Sequence, residues 1–216
     1  MYCSVGFSFY VTLSLFGDLN MKKKTNSNLL KVVAAIVVVI VLLFLFRGNI
    51  YRMAVKYEDG GSRKSYDIKE GDLATFINQN LPNDEALDAT ISIEQIIDLS
   101  QEITTKVLDF SSDAQESDPQ KLFVTTEANY TGYAAFTSAV GTYLIKRFGM
   151  DKEWEAKPKK GKLYLFGNNM YKNAQNGWFK DHDFVVFRNK NTKEEIYVDP
   201  TVNEYLGLKR VDRYQK

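Results

Sequence analysis

The sequence is poor in the residues that staple a fold or hold a metal. One cysteine (Cys3), one histidine (His182) and four prolines occur in 216 residues. A lone cysteine excludes an intrachain disulfide and a cysteine-based metal cluster, and it leaves the redox compartment open. Charge of one sign is lacking too: 28 Lys+Arg against 27 Asp+Glu leave a net +1. Bulk electrostatics therefore gives no reason to expect a nucleic-acid partner. No internal repeat or long low-complexity stretch is present, and no cofactor or metal site is read from the chain.

What is present is apolar and aromatic. Hydrophobic residues make up 44% of the chain, with 14 Phe, 13 Tyr and 2 Trp. That is ample for a core, and the length has room for one ordinary domain plus appendages. Every residue from Val32 to Phe46 is apolar, with Leu29 and Leu30 before Lys31. This approaches the roughly 20 residues that cross a bilayer, and Lys31 can snorkel to the headgroups. Three readings compete: a membrane anchor, a cleaved signal peptide and a buried core helix. Arg47-Gly48-Asn49-Ile50-Tyr51 offers no small-x-small cleavage pattern, so the anchor is preferred. Lys22, Lys23 and Lys24 favour a cytoplasmic N-terminus and an extracytoplasmic domain, although Arg47, Arg52 and Lys56 on the other flank reduce the asymmetry. The organisation read is an N-terminal extension over 1–28 with its natural start at Met21, a single-pass anchor over 29–46, a weakly patterned linker over 47–90 and the folded domain over 91–216.

Within the linker, Gly60-Gly61 predicts a turn, Leu73–Leu81 a short helix stopped by Pro82, and Asn83–Thr90 a loop. Ser92 with Gln95 three residues on matches a capping box. Ile96, Leu99, Ile103, Val107 and Phe110 then form an amphipathic stripe, with Glu94, Asp98, Gln101 and Lys106 outward. Ser111–Gln120 reads as a polar loop. From Glu127 a central helix is predicted, with Tyr133, Ala134, Val140, Gly141, Leu144, Ile145 and Phe148 on one face and Phe136, Ala139 and Tyr143 on the other. A helix apolar nearly all round is a buried one. Lys146 and Arg147 suit its last turn, and Gly149 follows as a stop. Gly132 in the first turn implies close approach of a strand or a ligand.

Beyond Gly149 the pattern turns to strands: Lys162–Phe166 between Gly161 and Gly167, Asp183–Phe187, and Glu195–Val198. The last two predict an antiparallel hairpin. A turn centred on Lys190-Asn191 opposes His182 to Asp199 within hydrogen-bonding reach. The basic run Lys157–Lys162 reads as a solvated loop, with an anionic lipid or wall partner as the alternative. Asn129-Tyr130-Thr131 is a glycosylation sequon. Trp178-Phe179 would line a groove or fill the core.

Together, Tyr130-Thr131-Gly132-Tyr133-Ala134, His182-Asp183-Phe184 and Asp199-Pro200-Thr201 resemble the transglutaminase-like superfamily of cysteine acyltransferases and peptidases. The family pattern is Cys-x-Gly-Tyr-Ala opening a helix, a His starting a strand and an Asp ending the next. The resemblance spans roughly Glu127 to Leu208. It implies an α+β fold with a central helix on an antiparallel sheet, here preceded by one transmembrane helix. It also implies a Cys-His-Asp triad in which Tyr130 (in place of the nucleophile), His182 and Asp199 are the site residues. A phenol of pKa about 10 does not replace a thiol of about 8.5, and losing a triad nucleophile costs on the order of 10⁶ in rate. The expected function is a membrane-anchored pseudoenzyme binding a peptide or cell-envelope component. Two alternatives stay open: an active acyltransferase or peptidase if position 130 is really Cys, and a structural interaction domain.

Overall fold

A computed structural model describes residues 27–82, 91–172 and 181–215. The predicted loop over 83–90, Trp178-Phe179, Cys3 and the Met21 start lie outside the described residues. The chain divides into two compact units, Met1–Phe44 and Leu45–Lys216. The first contains nearly all of α1 (Ser27–Leu45), whose window Asn28–Leu45 is long and apolar enough to cross a membrane. Eighteen helical residues rise on the order of 27 Å, against a hydrocarbon thickness of about 30 Å.

The second unit is mixed α and β. Its helices are α2 (Arg47–Ala54), α3 (Asp72–Gln79), α4 (Ile93–Val107), α5 (Pro119–Thr125), α6 (Tyr130–Arg147) and α7 (Pro200–Leu206). Its strands are β1 (Val55–Ser62), β2 (Asp109–Phe110), β3 (Glu127–Ala128), β4 (Trp154–Leu165), β5 (Asn168–Asn169), β6 (His182–Asn189), β7 (Glu195–Val198) and β8 (Asp212–Arg213). The main sheet runs β7-β6-β4-β1-β8, with β5 folded back on the end of β4. It is antiparallel, as expected, except for β1 and β8, which pair in parallel. Val211 bridges Tyr197 on β7 just before β8 begins, so the sheet curls into a small barrel whose seam is joined by that single bridge.

Strand alternation sends Val185 and Phe187 to one face of β6, and Phe184 and Val186 to the other. The first face packs with Trp154 and Ala156 against Tyr133, Phe136, Val140 and Leu144 of α6 and the α4 stripe. The second fills the barrel with Tyr57, Tyr197 and Val211. Gly161 of β4 makes room for this filling: a Cβ there would lie 1.9 Å from the Glu58 carbonyl oxygen and 2.8 Å from the Phe184 ring. Pro158 is tolerated in the centre of the sheet because its missing N–H falls where β1 has ended. Its carbonyl still accepts from the Arg63 amide at 2.9 Å.

Several expectations are revised. The 47–90 linker supplies α2, the barrel strand β1 and α3. Gly60-Gly61 is a bulge inside β1, with Gly61 at φ 136°, and not a turn. The Lys157–Lys162 run lies inside β4, where Lys157 and Lys159 pair with Glu155 and Asp59. Gln120 belongs to α5, whose start is set by the Asp118 cap and Pro119 at the first helical position. The central helix begins at Tyr130, because Glu127 and Ala128 are pulled into a parallel pair with β2. Gln101 faces inward at 1% exposure, its amide reaching the Lys209 carbonyl at 3.2 Å. The Ser92–Gln95 capping box forms as expected.

Candidate functional site

Asp199 is the centre of the site. It follows β7 and caps α7, and it is fully buried. A buried carboxylate is tolerable only when its lone pairs are met. Here Oδ1 accepts from the Thr201 amide at 3.0 Å, the Thr201 hydroxyl at 2.6 Å and the Val202 amide at 3.2 Å. Oδ2 accepts from the Tyr57 hydroxyl at 2.7 Å and bonds His182 Nε2 at 2.6 Å. The Tyr57 oxygen is itself 2.7 Å from that of Tyr51 on α2. A continuous chain therefore runs Tyr51, Tyr57, Asp199, His182 along the mouth of the barrel.

The hairpin register differs from the expected one. Val185 opposes Val198 and Arg188 opposes Glu195, so the turn is centred one residue later than Lys190-Asn191. By continuation Asp199 opposes Phe184, and it reaches His182 diagonally along the same face. The slip moves the pairing by two positions along β6, which preserves the face, and an imidazole is long enough to close the diagonal.

The charges reinforce one another. Burial pushes the Asp199 carboxyl up, but the His182 charge and the bonds from His182, Thr201 and Tyr57 outweigh it and hold the group below its usual range. Burial pushes the His182 imidazole down, and the Asp199 carboxylate, with Asp183 and Asp181, leaves it raised. An ionised Asp199 only accepts, so Nε2 carries the proton and Nδ1 of the neutral ring is the basic nitrogen. Burial, then the Asp199 charge, raises the Tyr57 phenol well above its ordinary value. Burial lifts Tyr51 and Tyr171 to about 12.

Tyr130 opens α6 and brings its ring to 5.7 Å from that of His182, centroid to centroid. Phe110 flanks it at 5.9 Å. The helix mouth is built locally. Asn129 Oδ1 accepts from the Thr131 and Gly132 amides at 2.9 and 3.1 Å, so the sequon carboxamide is engaged as a cap. Gly132 is pressed against β3 and a loop: a Cβ there would lie 2.8 Å from the Ala128 side chain and 3.0 Å from the Glu116 carbonyl. The close neighbour is thus protein, not a ligand.

On the other face of β6 the Thr131 hydroxyl donates to Asp183, which is 2% exposed. Arg63 Nε bonds the same carboxylate at 2.6 Å, and Arg63 Nη2 bonds Asp181 at 3.1 Å. A cleft of about 200 Å³ is lined by Arg63, Gln115, Asn129, Tyr130, Thr131, Asp181 and Asp183. Tyr130 is one of its walls; His182 and Asp199 are not.

The structure therefore brings Tyr130, His182 and Asp199 to one place. Sequence reading missed Tyr57, Tyr51, Arg63 and Asp183. Only Tyr57 left a local trace, in the short alternation Val55-Lys56-Tyr57-Glu58. Among the described residues no group of three or more His, Cys, Asp or Glu side chains could hold a metal ion. No protein-family model, no curated protein and no solved structure matches this chain.

Proposed function

We propose that this chain is a membrane-anchored, transglutaminase-like pseudoenzyme: the frame of a Cys-His-Asp acyltransferase with a phenol where the thiol would stand. One observation carries the reading. A histidine held by a buried, helix-capping aspartate faces the first residue of a buried helix, which is where such chemistry needs its nucleophile. The helix N-terminus and an imidazole together would keep a thiol ionised there. They do little for a phenol, whose oxygen stands farther from the backbone and whose proton is held more tightly.

Without turnover, the use of the site is binding. The cleft beside Tyr130 carries one guanidinium and two carboxylates, a surplus of negative charge that suits an amine-bearing peptide or envelope component over an anionic polymer. The apolar window Asn28–Leu45 is read as the anchor, with the second unit on the extracytoplasmic side. A purely structural interaction domain is the second reading. It is favoured by the position of the Tyr130 ring between the cleft and His182.

The test is Tyr130→Cys in a Cys3→Ser background, which leaves one thiol. Iodoacetamide should alkylate the introduced thiol well below pH 8, and adding His182→Ala should return its reactivity to that of an ordinary thiol. Acyl transfer from an activated ester should follow the same dependence. An alkylation profile indifferent to His182 in a folded variant would discard the triad-frame reading.

A further inference from the structure

Five exposed apolar side chains of the second unit gather at one corner, apart from Val124 on α5 and Tyr205 on α7. Leu165, Phe166 and Met170, at the β4–β5 hairpin, are 39%, 75% and 55% exposed; Ile50 and Met53, on α2, are 43% and 77% exposed. Backbone contacts join the two groups. Val55, the residue after α2, pairs with Leu165, and the Phe166 amide donates to the Ala54 carbonyl at 2.8 Å.

The hairpin tip is built against local preference. Leu165 pairs with Asn168, and the two residues between them, Phe166 and Gly167, have φ of 47° and 80°. Two positive φ angles in a two-residue loop make a type I′ turn, which favours Asn, Asp or Gly at its first position. A bulky aromatic in the left-handed region is an outlier. Here it holds a benzyl group at the apex of a hairpin, facing outward.

Chain connectivity indicates what covers this corner. α2 starts at Arg47, two residues after the apolar window ends at Leu45. Two Cα–Cα steps reach at most about 7 Å, and an eight-residue helix is about 12 Å long. Ala54, and the hairpin bonded to it, therefore lies within roughly 20 Å of whatever interface the window reaches. Exposed Arg52 and Lys172 neighbour the apolar residues in sequence and suit phosphate headgroups.

We propose that the hairpin tip and the exposed side of α2 form a lipid-contact patch, with Phe166 as its wedge, seated in the headgroup and upper acyl region of the bilayer that α1 crosses. The proposal rests on α1 being a membrane span. Such apolar faces bury about 5–10 Å into the headgroup–acyl boundary. The patch would hold the second unit against the membrane surface.

The test uses the full chain in vesicles of phosphatidylcholine with a minor share of phosphatidylglycerol, in a Cys3→Ser background. An NBD fluorophore is attached at Phe166→Cys, and for comparison at Lys152→Cys, two residues beyond Trp154, the end of β4 that lies eleven residues or roughly 36 Å along the strand from Leu165. Expected is a blue-shifted probe at 166 that loses about half its emission when the lipid chains are brominated, with no loss at 152. Phe166→Asn, read through a probe at Met170→Cys, should cut the quenching about twofold while leaving the thermal midpoint unchanged or higher, since Asn suits the turn. A probe at 166 as wet as that at 152, in protein that stays with vesicles after an alkaline wash, overturns the patch alone. Release by the wash overturns the anchor and the patch together. Shielding that needs a high protein-to-lipid ratio and ignores bromine shows a contact between copies of the chain and also overturns the proposal.

Discussion

The second unit has two interiors, one on each face of its sheet, and they are made by different physics. Between the sheet and the helices α4 and α6 the filling is mainly hydrocarbon: Ile96, Ile103, Phe136, Val140, Leu144, Val185 and Phe187 are at most 1% exposed, and the buried hydroxyls of Ser100, Thr104 and Thr137 are met within or between the two helices. Inside the barrel the filling is Tyr57, Phe184, Val186 and Tyr197, and its mouth is closed by the chain from Tyr51 to His182. The first interior is non-directional and strong. The second depends on each polar atom finding its one partner, because an unmade buried hydrogen bond costs more than a made one contributes. Stability is thus expected from the helix side, and specificity of side-chain placement from the barrel side.

The sharpest way to break this contrast is a core truncation. Phe136→Ala should cost about 3–5 kcal/mol in denaturant melts while the His182–Asp199 bond survives in whatever fraction stays folded. A smaller loss at Phe136 than at any barrel residue would reverse the assignment of roles. Asp199→Asn keeps the shape but removes the charge that His182, Tyr57 and Thr201 all address, and should cost roughly 2 kcal/mol.

The pair also has a pH signature. The His182 pKa is raised above its ordinary 6.5, so its contribution is complete below that value and is lost as pH rises through the folded pKa. The Asp199 pKa is held below its ordinary 3.8, so its contribution is present above 3.8 and is lost as pH falls through the folded value. The pair is therefore most stabilising between about pH 4 and 6.5. Urea midpoints recorded from pH 5 to 9 should show an alkaline decline that His182→Gln flattens.

Tyr57→Phe should cost about 1 kcal/mol. Its more telling effect is on acidity. Tyr57 and His182 share Asp199 Oδ2, so removing the phenol leaves that oxygen to the imidazole alone and should raise the His182 pKa. With a single histidine in the chain, one NMR titration reads it directly; no shift would make Tyr57 a packing residue only. At the small end, Lys146→Ala breaks an exposed pair with Asp67 and should cost less than about 0.5 kcal/mol.

Legibility followed the same division. The helix side was readable because 3.6-residue periodicity and a capping box are local signals, and Ile93–Val107 and the buried helix ending at Arg147 lie where they indicate. The barrel was only half readable. β6 and β7 were visible as apolar runs. β1 was obscured by Gly60-Gly61, since a bulge and a turn use the same residues for the same positive-φ backbone. The parallel pairs β1–β8 and β2–β3 have no local signature, because nothing near either strand encodes its partner.

The sequence by itself determined the apolar N-terminal window, the buried helix and the three side chains of the candidate site, because each depends on residue type and spacing along one stretch of chain. Only the tertiary structure decided that β1 delivers Tyr57 to Asp199, that Arg63 and Thr131 meet on Asp183, and that Phe166 stands exposed beside α2. The first two sets of contacts join residues between 52 and 142 positions apart, and the last depends on which way a hairpin tip turns. The curl of the sheet brings Tyr57 on β1 to Asp199 at the end of β7, and that curl is a property of all its strands at once.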